Sequence, residues 1–132
     1  MKILVNGTFD IIHRGHIEML NYARSLGDML VVCIDSDRRV RELKGEHRPV
    51  NNQEDRKFYL TNLRAVDQVW IFDSADELED MCKHYQPDIM VKGSDYQDQP
   101  IVGAHHCKEI KFFDRIKQYS TTKTIENINN RK

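Results

Sequence analysis

Five short apolar runs constrain this chain more than any other feature: ILV at 3–5, MLVVCI at 29–34, VWIF at 69–72, IMV at 89–91 and IKFF at 110–113. They are mostly continuous rather than alternating, as expected of strands covered on both faces. The stretches between them read as helices. Ile12, His16, Leu20 and Ala23 share one helical face, and Gly27 stands where a C-terminal cap belongs. Phe58, Tyr59, Leu63 and Val66 mark a second helix, with Asn52 as N-cap and Glu54 and Asp55 in its first turn. Ser74 to Glu77 form a capping box that opens a third, whose inner face is Leu78, Met81, Cys82 and Tyr85. A last helix is expected near Ser120. Strand-helix alternation over 132 residues predicts one domain, 1–132, of the α/β class. The expected architecture is Rossmann-like, a parallel sheet of about five strands with right-handed crossovers and helices on both faces.

Parallel sheets of this kind bind ligands at the carboxyl ends of their strands. Gly7, Thr8 and Asp10 follow the first apolar run, and Asp35 and Asp37 the second. Lys92, Gly93 and Asp95 follow the fourth, and Asp114 and Arg115 the fifth. The chemistry-bearing residues thus gather where the fold predicts a site.

The most pointed local signal is NGTFDIIHRGHIEML at 6–20, where a strand gives way to an amphipathic helix. A helix N-terminus offers unpaired N–H groups and a positive dipole end, which favour phosphate. His13 and His16, three apart, lie near one face of the first turn. Gly15 between them lets backbone approach a ligand closely. Neutral imidazoles can donate hydrogen bonds to phosphate oxygens where charge builds in a transition state.

Global features narrow the partners. A net charge of −1 gives no basic field for nucleic acid. No apolar run is long enough to span a membrane, and MKILVNG turns polar too soon for a signal peptide. Three cysteines without a CxxC motif argue against a disulfide framework and for a reducing cytoplasm.

GTFDIIHRGH resembles the signature of the HxGH nucleotidyltransferase superfamily, with its cytidylyltransferase-like α/β fold, and the resemblance covers essentially the whole chain. LKGEHRPVN at 43–51, VKGSDY at 91–96 and IVGA at 101–104 resemble the adenylyltransferase domain of ADP-heptose synthases. Arg56, Arg64 and Arg115 fall where glycerol-3-phosphate cytidylyltransferases carry arginines, and STTK at 120–123 resembles both branches. Unlike bifunctional heptose enzymes, these 132 residues hold no kinase domain.

The resemblance implies transfer of a nucleoside monophosphate from an NTP to a sugar phosphate such as a heptose 1-phosphate, with release of pyrophosphate. His13, His16 and Lys44 are the implied catalytic residues. Gly7, Thr8, Phe9, Asp10, Gly15, Lys92, Gly93, Asp95, Arg115, Ser120, Thr121 and Thr122 are the implied nucleotide contacts. Arg56, Arg64 and Tyr96 are the implied acceptor contacts, the two arginines lying eight apart on one helix. Mg²⁺ is expected on the triphosphate, with few protein ligands, and a homodimer is expected. ATP is favoured over CTP because segments beside a strand end can read a base edge, whereas arginines mainly read phosphate. The alternatives are a CTP-dependent enzyme acting on a polyol phosphate and a nucleotide-binding module without turnover.

Three further readings are plainer. DSDRRVRELKGEHR reads as a solvated, charge-mixed loop that carries Lys44. Trp70 reads as core, and Cys33 as buried and inert. HHC at 105–107 is not expected to hold metal, because adjacent side chains point apart and no second ligand cluster has zinc-site spacing.

Overall fold

The computed structural model describes residues 1–114 and Ile125. The expectations at Arg115, Ser120, Thr121 and Thr122, and the helix near Ser120, lie outside these residues. All five apolar runs are strands: β1 (Lys2–Gly7), β2 (Met29–Asp35), β3 (Gln68–Phe72), β4 (Ile89–Gly93) and β5 (Glu109–Phe113). They form one parallel sheet in the order β3-β2-β1-β4-β5. The chain winds outward from β1 through β2 to β3, then returns to lay β4 along the other side of β1. That reversal opens a crevice at the carboxyl ends of β1 and β4.

Ile3, Leu4 and Val5 of β1 and Leu30 through Ile34 of β2 are wholly buried. Alternate residues serve opposite faces. Ile3, Val5, Leu30, Val32 and Ile34 pack with Leu20, Ala23 and Leu60, from helices α1 (Arg14–Ser25) and α3 (Gln53–Thr61). Leu4, Val31, Cys33 and Met90 pack with Leu78, Cys82 and Tyr85 of α4 (Ala75–Tyr85). Both faces are covered, which is why the runs read as continuous. Each such aliphatic side chain contributes about 1.5–3 kcal/mol by leaving water.

The helix starts follow the expected caps. Asn52 accepts from the Asp55 amide at 2.8 Å, and Ser74 from the Glu77 amide at 3.1 Å. The Glu77 carboxylate reaches back to the amide of Asp73 rather than that of Ser74, so the box closes one residue early. Among the described residues, no helix is long and apolar enough to cross a membrane.

Three expectations are corrected. The charge-mixed stretch after β2 is a helix, α2 (Asp37–Lys44), capped by Ser36 and anchored by buried Val40, with Lys44 as its last residue. An i,i+4 pair, Arg38 with Glu42, supports it. Trp70, on the edge strand β3, packs against the core but is only half-buried, edge-on to Tyr85, with its indole N–H donating to Gln68 Oε1 at 3.1 Å.

The third correction concerns α3. It stops at Thr61, so Arg64 lies beyond it, exposed, and does not share a helix face with Arg56. Phe58 and Tyr59 face solvent, while Arg56 and Leu60 face inward. The Arg56 side chain has no exposure, and its guanidinium is fully engaged. Nε donates to Asn51 O at 3.0 Å, and Nη1 to Thr8 O and Asp35 O at 2.9 and 2.8 Å. Nη2 pairs with Asp37 Oδ1 at 2.9 Å. Arg56 is thus bonded within the fold and does not line the cleft. Replacing Arg56 with Met orphans three carbonyls and one carboxylate, and should cost about 3–5 kcal/mol of stability. Urea denaturation measures this directly, and an unchanged midpoint would show that the guanidinium is dispensable.

Candidate active site

The crevice is a cleft of about 420 Å³. Its floor is the carboxyl ends of β1 and β4. Its walls are the start of α1, the end of α2 and a segment beyond β4 that includes Tyr96 and residues 100–102. Gly7, Thr8, Phe9, Asp10, His13, Gly15, His16, Lys44, Lys92, Gly93, Asp95 and Tyr96 all line it, as the sequence predicts. Arg56 and Arg64 do not.

His13 is the N-cap of α1, an unusual residue for that position. Its Nδ1 accepts from the His16 amide at 3.4 Å, and His16 Nδ1 accepts in return from the His13 amide at 3.3 Å. This is a capping box built from two imidazoles. The rings stack, with centroids 3.8 Å apart and planes 16° from parallel. The cap decides the tautomer: with Nδ1 accepting, each neutral ring carries its proton on Nε2. Both rings thus hold an N–H donor on the edge away from the backbone, at the positive end of a helix dipole.

The turn between β1 and α1 is tightly determined. Phe9 adopts φ 52°, a backbone region that bulky residues rarely occupy. Its ring is buried over Gly7, where a Cβ would sit 3.0 Å from the ring edge. The same ring lies 5.0 Å from that of His16. A side chain at position 7 would therefore push on the Phe9 ring.

Asp10 lines the cleft, but its carboxylate is committed. Oδ2 accepts from Arg48 Nε and the Val50 amide, both at 2.9 Å, and Oδ1 accepts from the Asn51 amide at 2.8 Å. Asn51 Nδ2 donates to Asp10 O at 2.7 Å. Asp10 is thus a positioning residue that fastens the segment after α2 to the start of α1. Arg48, which the sequence reading left out of the site, is held by this contact against the cleft. Its Nη2 is buried and makes no hydrogen bond among the described residues. The RPV motif at 48–50 was the signal that could have found it. Asn6 and Arg39 also line the cleft unforeseen, Arg39 paired with Asp35 at 3.1 Å.

Lys92 rises from the end of β4, 8% exposed. Its Nζ donates to Asn6 Oδ1 at 3.1 Å and lies 4.3 Å from the centre of the Tyr96 ring. Burial holds its pKa below the ordinary lysine value of 10.5, although Asp35 and Asp95 pull the other way. The residue is a cation kept partly dehydrated in a cleft, a costly arrangement that an anion would relieve.

The HHC stretch contradicts its expected geometry. His105 and His106 do not point apart. Both rings lean toward Glu79 on α4, at 3.2 and 3.9 Å from its Oε1. A short helical turn, Ala104–His106, brings them to the same side. Cys33 is buried as expected, and burial raises its thiol pKa far above the usual range.

Residues 4–128 match the family described as cytidylyltransferase-like. The chain is 48% identical over 126 residues to the bifunctional protein HldE of Campylobacter fetus subsp. fetus, covering 96% of this chain and 27% of that protein. It is 42% identical over 126 residues to the bifunctional protein HldE of Wolinella succinogenes, covering 96% and 26%. The chain thus spans about a quarter of the length of these relatives. Among solved structures, the lipopolysaccharide core biosynthesis protein from Thermoplasma volcanium superposes with a TM-score of 0.71 at 25% identity, over 86% of this chain and 97% of that one.

Lys92 generates a prediction that separates stability from binding. Lys92→Met removes a buried charge while keeping the apolar stem, so the melting temperature should rise even as affinity for a triphosphate falls. The sign with pH is fixed. The folded pKa is lowered, so the wild type carries its penalty fully below that pKa and loses it as pH climbs toward 10.5. The gain in Tm from Met should therefore be largest at neutral pH and shrink in alkaline buffer. A Tm that falls on substitution would mean that the contacts to Asn6 and Tyr96 outweigh desolvation.

Proposed function

The chain belongs to the cytidylyltransferase-like family, and on that premise we propose that it transfers AMP from ATP to a heptose 1-phosphate, giving ADP-heptose and pyrophosphate. The observation that carries the reading is the stacked His13–His16 box at the mouth of α1, facing a cleft that also holds Lys44, Arg48 and Lys92. Phosphoryl-group chemistry of this kind needs positioning and charge neutralisation more than covalent help. An oxygen of the acceptor phosphate attacks the α-phosphorus in line as the bond to the bridging oxygen breaks and pyrophosphate departs. The two Nε2–H groups hydrogen-bond to phosphate oxygens as charge grows on them. Thr8 and the backbone near Gly7 meet the α-phosphate. Lys44, at the end of α2, meets the outer phosphates, and Arg48 offers its buried Nη2. The resemblance adds Arg115, Ser120, Thr121 and Thr122, which lie outside the described residues, as further nucleotide contacts.

The donor set of the cleft fits a metal that arrives with the triphosphate. Asp10 is taken by Arg48 and two amides, and Asp35 pairs with Arg39. Asp95 is the other carboxylate of the lining, and the remaining charged or imidazole groups around them, His13, His16, Lys44, Arg48 and Lys92, suit phosphate oxygens. Mg²⁺ held on the triphosphate supplies further charge neutralisation. The proposed setting is the cytoplasm, where the three cysteines stay free, and the proposed assembly is a homodimer.

Three considerations favour ATP and a sugar phosphate over CTP and a polyol phosphate. Two of the three arginines that suggested the latter lose weight, since Arg56 is buried in structural contacts and Arg64 lies off the cleft. The VKGSDY segment keeps its weight, since Lys92, Gly93, Asp95 and Tyr96 all line the cleft. The relation to a protein described as serving lipopolysaccharide core biosynthesis supports a sugar acceptor.

His16→Ala should lower kcat by on the order of 10²-fold or more, with a smaller effect on triphosphate Kd and an unchanged circular dichroism spectrum. Normal turnover at saturation would reduce His16 to a binding residue. Pyrophosphate release should be assayed with each of the four NTPs against sugar 1-phosphates and glycerol 3-phosphate. ATP with a heptose 1-phosphate should give the highest kcat/KM. A tenfold preference for CTP would sink the adenylyl reading and leave the roles of the histidines standing.

A further inference from the structure

Outside the cleft, α4 and the Ala104–His106 turn bring three metal-ligating side chains to one point. Glu79 Oε1 lies 3.2 Å from His105 Nε2 and 3.9 Å from His106 Nε2. One ligand atom from each of the three residues falls within 4.8 Å of the other two. Zinc binds nitrogen and carboxylate oxygen at about 2.0–2.2 Å, so the edges of its tetrahedron are about 3.3 Å. The two distances from Glu79 are near that length, and the third pair lies within 4.8 Å, so side-chain rotation can close the set. Two imidazoles with one carboxylate suit zinc, copper or nickel far better than magnesium or calcium.

The site is held by backbone packing that the ligands themselves do not supply. Gly103, just before the turn, has φ 79°, and a Cβ there would lie 2.5 Å from Cys82 Sγ. The glycine therefore lets the turn seat directly on α4, one helical turn from Glu79. As an ion pair alone, a half-exposed glutamate with a surface histidine contributes little. The convergence has more to offer a cation than it offers the fold.

We propose that Glu79, His105 and His106 form a binding site for a zinc-type divalent ion, with water completing the coordination. The ion would clamp the segment after β4 onto α4. That segment carries Ile101 and Val102, which line the cleft, and Leu78, next to Glu79, lines it too. The site thus sits on the back of one cleft wall. This inference does not rest on the transferase reading, and its test needs no substrate.

The experiment uses untagged, chelator-stripped protein titrated with Zn²⁺ or Co²⁺ alone. One saturable equivalent per chain is expected by calorimetry. Co²⁺ should develop visible ligand-field bands, and Zn²⁺ should raise the Tm. Glu79→Gln and His105→Asn alter exposed or half-exposed side chains, so both should fold and melt as the wild type does without metal. Each should weaken binding by on the order of tenfold or more, since even an outer partner of a metal ligand is worth that much. Zinc should also slow hydrogen exchange of the amides at 101–107 in the wild type and not in the two variants. Absence of saturable uptake, or equal uptake by wild type and both variants, would overturn the site. Unchanged exchange at full occupancy would overturn the clamp.

Discussion

The cleft depends on a guanidinium that never meets solvent. Arg56 joins the last carbonyl of the β1–α1 turn that matters for the floor, Thr8 O, to the end of β2 at Asp35 O, and holds both to α2 through Asp37. Strand ends in a parallel sheet are otherwise free to splay, because the ladder stops there and carbonyls are left without partners. A planar fork with five donors satisfies several of them at once, which an ammonium on a flexible stem does not. The charge is tolerable only because every nitrogen has an acceptor. The arrangement therefore specifies one geometry for the ends of β1 and β2, and it brings Thr8 and the following turn to a defined place.

On that base, the same residues serve fold and chemistry. His13 and His16 cap α1, and the cap fixes which ring nitrogen bears the proton. A serine cap would start the helix as well and leave no donor pair at the cleft. Asp10 is the counterpart on the other side, a buried carboxylate that ties residues 48–51 to the α1 turn and so positions Arg48. Lys92 runs the other way. Its burial opposes the charged form, which weakens the fold and strengthens the pull on an anion. Stability concentrated in Arg56 and Asp10 accommodates the cost concentrated in Lys92.

The two walls of the cleft are built differently. The wall from α1 and α2 is held by caps and ion pairs among the first fifty or so residues of the chain. The opposite wall is the segment after β4, which packs on α4 through the close approach of Gly103 to Cys82 and through Ile101 and Cys107. His105, His106 and Glu79 converge beside it and are not among the residues that line the cleft.

Much of this was legible in the residues alone, for a definite reason. Burial on both faces of a parallel sheet leaves a local trace, the continuous apolar run, and all five runs became strands. Caps and the HxGH turn are also local, since their partners lie three or four residues apart. What the sequence could not show were contacts between distant residues. Arg56 bonds to a carbonyl 48 residues away, and no spacing rule distinguishes it from Arg64, which stays on the surface. Arg48 acquires its place from Asp10, 38 residues distant. The direction of two adjacent histidines was settled by a short turn seated against another helix. Periodicity and capping are set by neighbours along the chain. The partner of a buried charge is set by which strand ends meet, and only the tertiary structure decides that.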